Sequence, residues 1–465
     1  MEQQVGLPGM MIEIGRAVST DGGVVFVVRH LSRADWFNRL LPSLRGAIST
    51  FDGERYGYAR EEKLRRGLLA LIAGLAMGYR SVKAIADVIA ADPLWRRSLG
   101  KRISQPDLSR LMELLARVGV TKDPCKRMRL QGEPLKRALA ESAAGNRGGL
   151  QIDGDSTLIE LHGTQEGSSY NGHYHCTGYH AGWMVDTEVG KVAALWLNPG
   201  KAYTSEGQTE VLMGITDMGL KVRSYRGDAG MPSPELMARL EEDGAAYTLR
   251  LKSNPKLDKL AEHLLVQGPW QAHHVLMGEF RYAAKTWDRE RRVVAKLQKP
   301  KAQDGAESLF WEGYYFVTTR EDAAEAVVSH YLQRGRAEGV FGEFMRTMQP
   351  NFRHEEKVKN EAWAQILALA FNTLVDLRKT LPKEPAVWKA LRLTQDLGDP
   401  GFVAIAVERV QAFAQASLTM FRTHALKLFN VFVSHARGEK LRVHPTLLRP
   451  GWPGILMELA DAPIE

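Results

Sequence analysis

GLQIDGDSTLIELHG, residues 149–163, alternates apolar and polar positions where the chain before it follows a helical period. Successive side chains of a strand point to opposite faces, so Ile152 and Gly154 point one way and Asp153, Asp155 and Thr157 the other. Two carboxylates on one strand face are costly to bury without a cation or hydrogen-bond donors. They either lie in solvent at a turn or meet a metal.

Downstream the signals continue in a regular order. Strand-like runs at 178–186 and 191–198 flank Glu188-Val189-Gly190 and read as an antiparallel hairpin. A helix at 206–218 precedes a strand at 221–226 that ends in Gly227-Asp228-Ala229-Gly230. A helix at 233–242, opened by Ser-Pro-Glu, and a strand at 246–252 follow. This order predicts a mixed α/β sheet with helices packed on it.

Residues 255–320 differ in composition, with Trp270, Phe280, Trp287, Trp311, Tyr314 and Tyr315 among many Arg and Lys. Runs at 291–297 and 311–318 predict strands of a small β subdomain. Aromatics interleaved with basic residues suit base stacking with phosphate contact; they equally suit the core of such a subdomain. YLQRGRAEGVFGEFMRTM, residues 331–348, reads as one helix on which Tyr331, Arg334 and Glu338 fall within about 60° of one another. Gly335, Gly339 and Gly342 each weaken that helix by about 1 kcal/mol relative to Ala, as if something bulky approaches the backbone. Taken alone, this face is also that of a solvated helix with an internal Arg-Glu pair. A long helix is expected at 355–378, and a mostly helical remainder up to Gly438.

Upstream, residues 32–118 carry a helical period and many basic side chains, among them Arg60, Lys63, Arg66, Lys101 and Arg102. Asp92-Pro93 stops one helix and Ser104-Gln105-Pro106-Asp107 starts another. A DNA-binding helical domain and a bundle with a solvated basic face both fit. A short hairpin around Asp21-Gly22-Gly23 and a basic linker at 122–137 complete this region.

A chain of 465 residues suggests several domains, and 44% hydrophobic with 25% charged residues can bury real cores. The 62 Lys and Arg against 54 Asp and Glu give a formal charge of +8, which leans toward an anionic partner such as nucleic acid. Two cysteines, Cys125 and Cys176, make no disulfide framework and point to a reducing compartment. No signal peptide is visible, and the apolar run at 67–78 is too short to span a bilayer, so a soluble cytoplasmic protein is expected.

Phosphodiester cleavage without a covalent enzyme intermediate commonly uses two divalent cations held by a few convergent carboxylates. Asp155 on the first strand, Asp228 at the end of a later one and Glu338 on a following helix, with a β insertion between the last two, offer such a set. The arrangement resembles a ribonuclease H-like DDE transposase of bacterial insertion sequences, in the branch with a Tyr-Arg-Glu-Lys signature. Asp155-Ser156-Thr157 is similar to the first-acid D-x-T pattern, and Gly163-Thr164-Gln165-Glu166-Gly167 to a G-x-Q-E-G element. Arg226-Gly227-Asp228-Ala229-Gly230 resembles the R-x-D-S-G-F context of the second acid, with Ala229 and Met231 as departures. Tyr331, Arg334 and Glu338 match three signature positions; Met345 stands where Lys is expected, with Arg346 beside it. The similarity covers roughly residues 30–380.

The resemblance implies that Asp155, Asp228 and Glu338 are catalytic metal ligands for two Mg²⁺ ions, for which Mn²⁺ can substitute. It implies DNA contacts for Tyr331, Arg334 and Arg346, with Asp153 as a possible aid to the metal site. Trp311 and Trp287 are candidates for stacking on a flipped base. The partners implied are double-stranded DNA, both terminal inverted repeats and target, and a second copy of the chain in a synaptic complex; a nucleoid-associated location follows. The corresponding domains are a helical DNA-binding domain at 1–140, a catalytic core at 145–254 and 321–380, a β insertion at 255–320 and a helical region at 381–465 for dimer or DNA contacts. A nuclease of the same fold and an inactive DNA-binding repressor are the alternatives. His173, His175, Cys176 and His180 have the residue types of a zinc site in a spacing that fits no structural zinc pattern.

Overall fold

The structure is a computed structural model. It describes Asp21 and residues 23–52, 57, 58, 60–118, 134–267, 275–299, 311–380 and 416–422, together with four short strands near the termini. The chain divides into two compact units: residues 1–119, 342–351 and 362–465 form one, and residues 120–341 and 352–361 the other. Among the described residues no helix is long and apolar enough to cross a membrane.

The first unit is built on helices α1 (Val24–Arg33), α2 (Asp35–Asp52), α3 (Glu61–Ala76), α4 (Val82–Ala91), α5 (Pro93–Leu99) and α6 (Gln105–Val118). Asp92 ends α4 and caps α5, its carboxylate accepting from the Leu94 N–H at 2.8 Å with Pro93 in the first turn. Ser104 and Asp107 cap α6 reciprocally. The hairpin expected around Asp21 is not there. Asp21 is buried and accepts from Trp95 Nε1 at 2.8 Å and from the Tyr79 hydroxyl, and Gly23 leads directly into α1. The hairpin of this region lies earlier, between β1 (Val5–Leu7) and β2 (Met10–Ile14), and β2 pairs in parallel with Gly438–Val443. In the stretch expected to be helical, the strand Asn430–His435 pairs with Gly438–Val443. The rest of 381–465, apart from 416–422, lies outside the described residues, as do most of the linker at 122–137 and Trp270.

The second unit is a nine-stranded mixed sheet. At its centre β3 (Leu150–Glu160) pairs antiparallel with β5 (Cys176–Asp186) and parallel with β7 (Val222–Gly227). On the β5 side lie β4 (Ser169–Asn171) and β6 (Lys191–Pro199); on the other side β8 (Ala246–Leu251) runs parallel to β7. An antiparallel trio followed by two parallel strands reached through helices is a ribonuclease H-like arrangement. Helices α7 (Pro134–Ala144), α8 (Gln208–Asp217), α9 (Pro234–Glu242) and α10 (Pro255–Gln267) accompany the sheet, and their apolar residues meet Leu150, Ile152, Tyr225 and Tyr247 in its main core. β5, β6, β7, β8, α8 and α9 end within two residues of the sequence expectation, whereas α7 begins inside the stretch expected as a linker, α10 lies in the stretch expected as a β subdomain, and β4 in one expected as a loop.

The strands of 255–320 continue this sheet. β11 (Glu312–Thr318) pairs antiparallel with β8, β10 (Arg291–Gln298) with β11, and β9 (Val275–Tyr282) closes the edge. A smaller cluster of Val294, Phe316, Val327 and Val328 seats α11 (Ala324–Leu332). α12 (Gly335–Met348) and α13 (Lys357–Thr380) follow.

Candidate active site

Parallel pairing of β3 with β7 sets Gly154 beside Gly227, so Asp155 and Asp228 stand one residue further along neighbouring strands. Gly154 faces the core; a Cβ there would lie 2.1 Å from the Tyr225 hydroxyl oxygen. That hydroxyl donates to Gln208 Oε1 at 2.9 Å, and Gln208 Nε2 donates to the Asp155 carbonyl at 3.3 Å. Asp155 is thereby braced from behind. Asp228 opens a turn in which its carboxylate accepts from the Gly230 N–H at 2.9 Å. Met231 is buried where the motif carries Phe, so this departure keeps an apolar side chain at the position.

The segment 331–348 is not one helix. α11 ends at Leu332 with Gln333 as its cap, and α12 starts at Gly335, leaving Arg334 in the joint. The Arg334 N–H donates to the Tyr331 carbonyl at 2.8 Å, and the Arg334 carbonyl accepts from Ala337 N–H at 2.8 Å. A tight turn thus replaces the helical period at this point. The side chains still converge: Arg334 Nη2 lies 2.7 Å from Asp155 Oδ2 and its Nη1 3.7 Å from Glu338 Oε1. Phe341, a turn beyond Glu338, packs edge-on against Trp183 with ring centroids 4.8 Å apart, and Trp183 is the residue opposite Asp155 on β5. That contact anchors the start of α12 over the first acid.

Burial pushes the Asp155 carboxyl up; Arg334 pulls it back, and the negative charges of Asp228 and Glu338 push it further up. Asp228 and Glu338 thus bear electrostatically on Asp155, and with one guanidinium paired to it the site keeps an excess of negative charge. Among the described residues, no three His, Cys, Asp or Glu side chains stand close enough to hold one ion as they are. Arg334, lodged between Asp155 and Glu338, supplies the positive charge in that arrangement. As a donor set the acids suit a hard divalent cation, which takes carboxylate oxygens.

Asp153 is not available to a metal. Its two oxygens accept from Arg226 Nε and Nη2 at 2.5 and 2.8 Å, and both side chains are fully buried. Arg226 also donates to Thr187 Oγ1 and to the His330 carbonyl, each at 2.8 Å. One guanidinium therefore ties β3, the turn after β5 and the end of α11 together. Sequence reasoning overlooked Arg226 as a partner of Asp153, although it stands two residues ahead of the second acid. The His330 ring is held down to about 4 by burial and by Arg320 and Arg226.

Tyr331 lies on Phe316, ring centroids 4.7 Å apart, and burial pushes its hydroxyl up against the pull of Arg334 and Arg250. Trp287 packs edge-on against Tyr282 at 5.4 Å with the Arg291 guanidinium 5.6 Å from its ring. Trp311 has Lys299 Nζ 5.3 Å from its ring, and both tryptophans pack against the main core. Arg346 sits in the last turn of α12, within the first unit. Of the zinc-like residues, His180 Nδ1 is 2.6 Å from the Ala202 carbonyl, and the turn at His173 is fixed by Asn171 Oδ1.

A family model described as transposase DDE domain group 1 matches residues 11–395. Among solved structures, the cryo-EM structure of the piggyBac transposase synaptic complex with hairpin DNA is similar at a TM-score of 0.44 and 12% identity, over 87% of this chain and 80% of that one. No curated protein sequence matches.

Proposed function

This chain belongs to the transposase DDE domain family, group 1, and from that membership we propose that it binds the terminal inverted repeats of an insertion sequence, cleaves at the element ends and joins the freed 3′-hydroxyls to target DNA. The observation that carries this reading is the placement of Asp155, on whose carboxyl both Asp228 and Glu338 act, with Arg334 reaching Asp155 and Glu338. DDE transposase domains generally use divalent metal ions. Here Asp155, Asp228 and Glu338 would hold Mg²⁺, with Mn²⁺ as a substitute. When bound, a pair of such ions would activate the attacking hydroxyl and stabilise the leaving oxygen of an in-line displacement.

The chain's own groups divide the remaining work. Arg334 pairs with Asp155 and reaches toward Glu338, offsetting part of their charge, and the same guanidinium would contact a phosphate oxygen of bound DNA. A guanidinium suits both roles because its planar fork pairs equally well with carboxylate and phosphate. Tyr331, fixed on Phe316, and Arg346 would add further phosphate contacts. Asp153 and Arg226 position Asp155 and the α11–α12 joint without touching substrate. A synaptic homodimer follows from the need to cut and join two ends in concert.

The test uses a labelled duplex carrying the terminal repeat, Mg²⁺, the wild type, and Asp155→Asn, Asp228→Asn and Glu338→Gln. Cleavage at the repeat end, lost in all three variants while binding persists, is the expected outcome. Binding without cleavage in every sample would overturn the catalytic reading and leave a DNA-binding protein; cleavage without joining would leave a nuclease.

A further inference from the structure

The first unit contains a cavity of about 360 Å³ between the start of α3 and the junction of α5 with α6, and its lining is strongly basic. Five cationic side chains, Arg60, Lys63, Arg66, Lys101 and Arg102, face two acids, Glu62 and Asp107. The acids are already engaged. Glu62 pairs with Arg66 one helical turn away, and Asp107 pairs with Lys63 at 3.2 Å while capping α6. Arg66 is further fixed by donating from Nε to the Leu99 carbonyl at 3.2 Å, and Lys63 lies over the Tyr58 ring at 4.6 Å. These bonds line the floor of the cavity. Arg60, Lys101 and Arg102 are exposed at its mouth, and among the described residues none has an acidic side chain within ion-pair distance.

We propose that this cavity is a phosphate clamp for the backbone of duplex DNA, in which Arg60, Lys101 and Arg102 contact phosphate oxygens and the Lys63 and Arg66 pairs hold the frame. The proposal rests on the DNA-binding reading above and adds to it a site remote in sequence from the three acids. Three unpaired cations around one depression concentrate positive potential where a single solvated charge would not. Lysines and arginines free of carboxylate partners release the counterions of the phosphates they neutralise, which is the measurable signature of such a contact. Sequence is not read here, because phosphate contacts position a duplex without discriminating bases.

Fluorescence anisotropy with the full-length chain and a labelled duplex of arbitrary sequence, between about 50 and about 200 mM salt, tests this. The triple variant Arg60→Gln/Lys101→Gln/Arg102→Gln should bind more weakly, and its plot of log K against log salt should be shallower by up to about 2.7, from about 0.9 per phosphate contact. A control, Arg33→Gln/Lys83→Gln/Arg117→Gln, removes the same formal charge from outside the cavity and should leave the slope near that of the wild type. An unchanged slope in the cavity variant overturns the clamp, and so does an equal loss in the control. A melting temperature raised by inorganic phosphate alone in the wild type, lost in the cavity variant while its duplex slope is unaltered, would mark a small-anion site instead. A wild type that binds no duplex would overturn the DNA reading itself. Cleavage is not part of the readout, so failure of the clamp and failure of the catalytic reading are separable.

Discussion

Replacing Arg226 by Met strands Asp153 in a place without water. Both side chains are fully buried, and the guanidinium makes four hydrogen bonds, two to Asp153 and one each to Thr187 and the His330 carbonyl. Hydrogen bonds to charged groups contribute about 1.5–3 kcal/mol each, and desolvating the two ions costs several kcal/mol apiece, so the intact pair is close to neutral against an apolar pair of equal volume. Removing one partner is a different matter, because the other keeps its desolvation cost; the expected loss is about 3–5 kcal/mol for Arg226→Met and for Asp153→Asn alike. At about 2–4 °C per kcal/mol for a unit of this size, the unfolding transition falls by about 6–20 °C. A thermal melt followed by circular dichroism measures the shift, and urea unfolding the loss in free energy. The double variant Asp153→Leu/Arg226→Met should be markedly more stable than the sum of the single losses, since no charge is stranded. Single variants within about 1 kcal/mol of wild type, or a double variant as unstable as the sum, would refute this account of the pair. Activity should also fall at temperatures where Arg226→Met stays folded, because the lost bond to His330 loosens the residue next to Tyr331.

Other expectations follow from the same geometry. Asp155 is held above its ordinary value, so its ionised form costs the folded state stability at neutral pH, and that cost vanishes as pH falls through its folded-state pKa toward about 3.9. Asp155→Asn should therefore abolish cleavage yet raise the melting temperature near neutral pH; a gain that persists unchanged in strong acid would count against the assignment. His330, held down to about 4, contributes stability that is complete above its ordinary value of about 6.5 and lost as pH falls through 4. His330→Asn should flatten the melting temperature against pH across that window, and an unaltered slope would place the titration elsewhere. Gly154→Ala drives a methyl group into the Tyr225 hydroxyl and should cost about 1–3 kcal/mol, partly recovered by adding Tyr225→Phe. No recovery in the thermal melt of the double variant would show that the clash lies elsewhere.

Much of the catalytic core was legible because its signals are local. The alternation around Asp155, the Gly227–Gly230 turn and the Ser-Pro-Glu start of α9 each declare themselves within a few residues. What escaped depends on pairings between distant positions. The salt bridge from Asp153 to Arg226 spans 73 residues and exists only because β3 and β7 lie in register. The break at Gln333 was hidden because the spacing of Tyr331, Arg334 and Glu338 suits a continuous helix as well as a turn between two. A buried aromatic and a base-stacking one share the same sequence, so the packing of Trp287 and Trp311 against the core became visible only with β9, β10 and β11 in place.

The attachment of β11 to β8 bears on how such proteins can be cut and recombined. β8 runs between β7 and β11, with Leu249 in register with Gly227 on one side and with Val317 on the other. Excising 255–320 to make a minimal nuclease, or grafting in the corresponding segment of a relative, would bare the N–H and C=O groups on the side of β8 that Thr248–Leu251 present to β11. An unpaired edge recruits strands from other molecules. A transplant that brings no strand able to match the β8 register is thus a recipe for aggregation, whatever the fate of the three acids. Exchange between relatives is confined to pieces that carry their own edge with them.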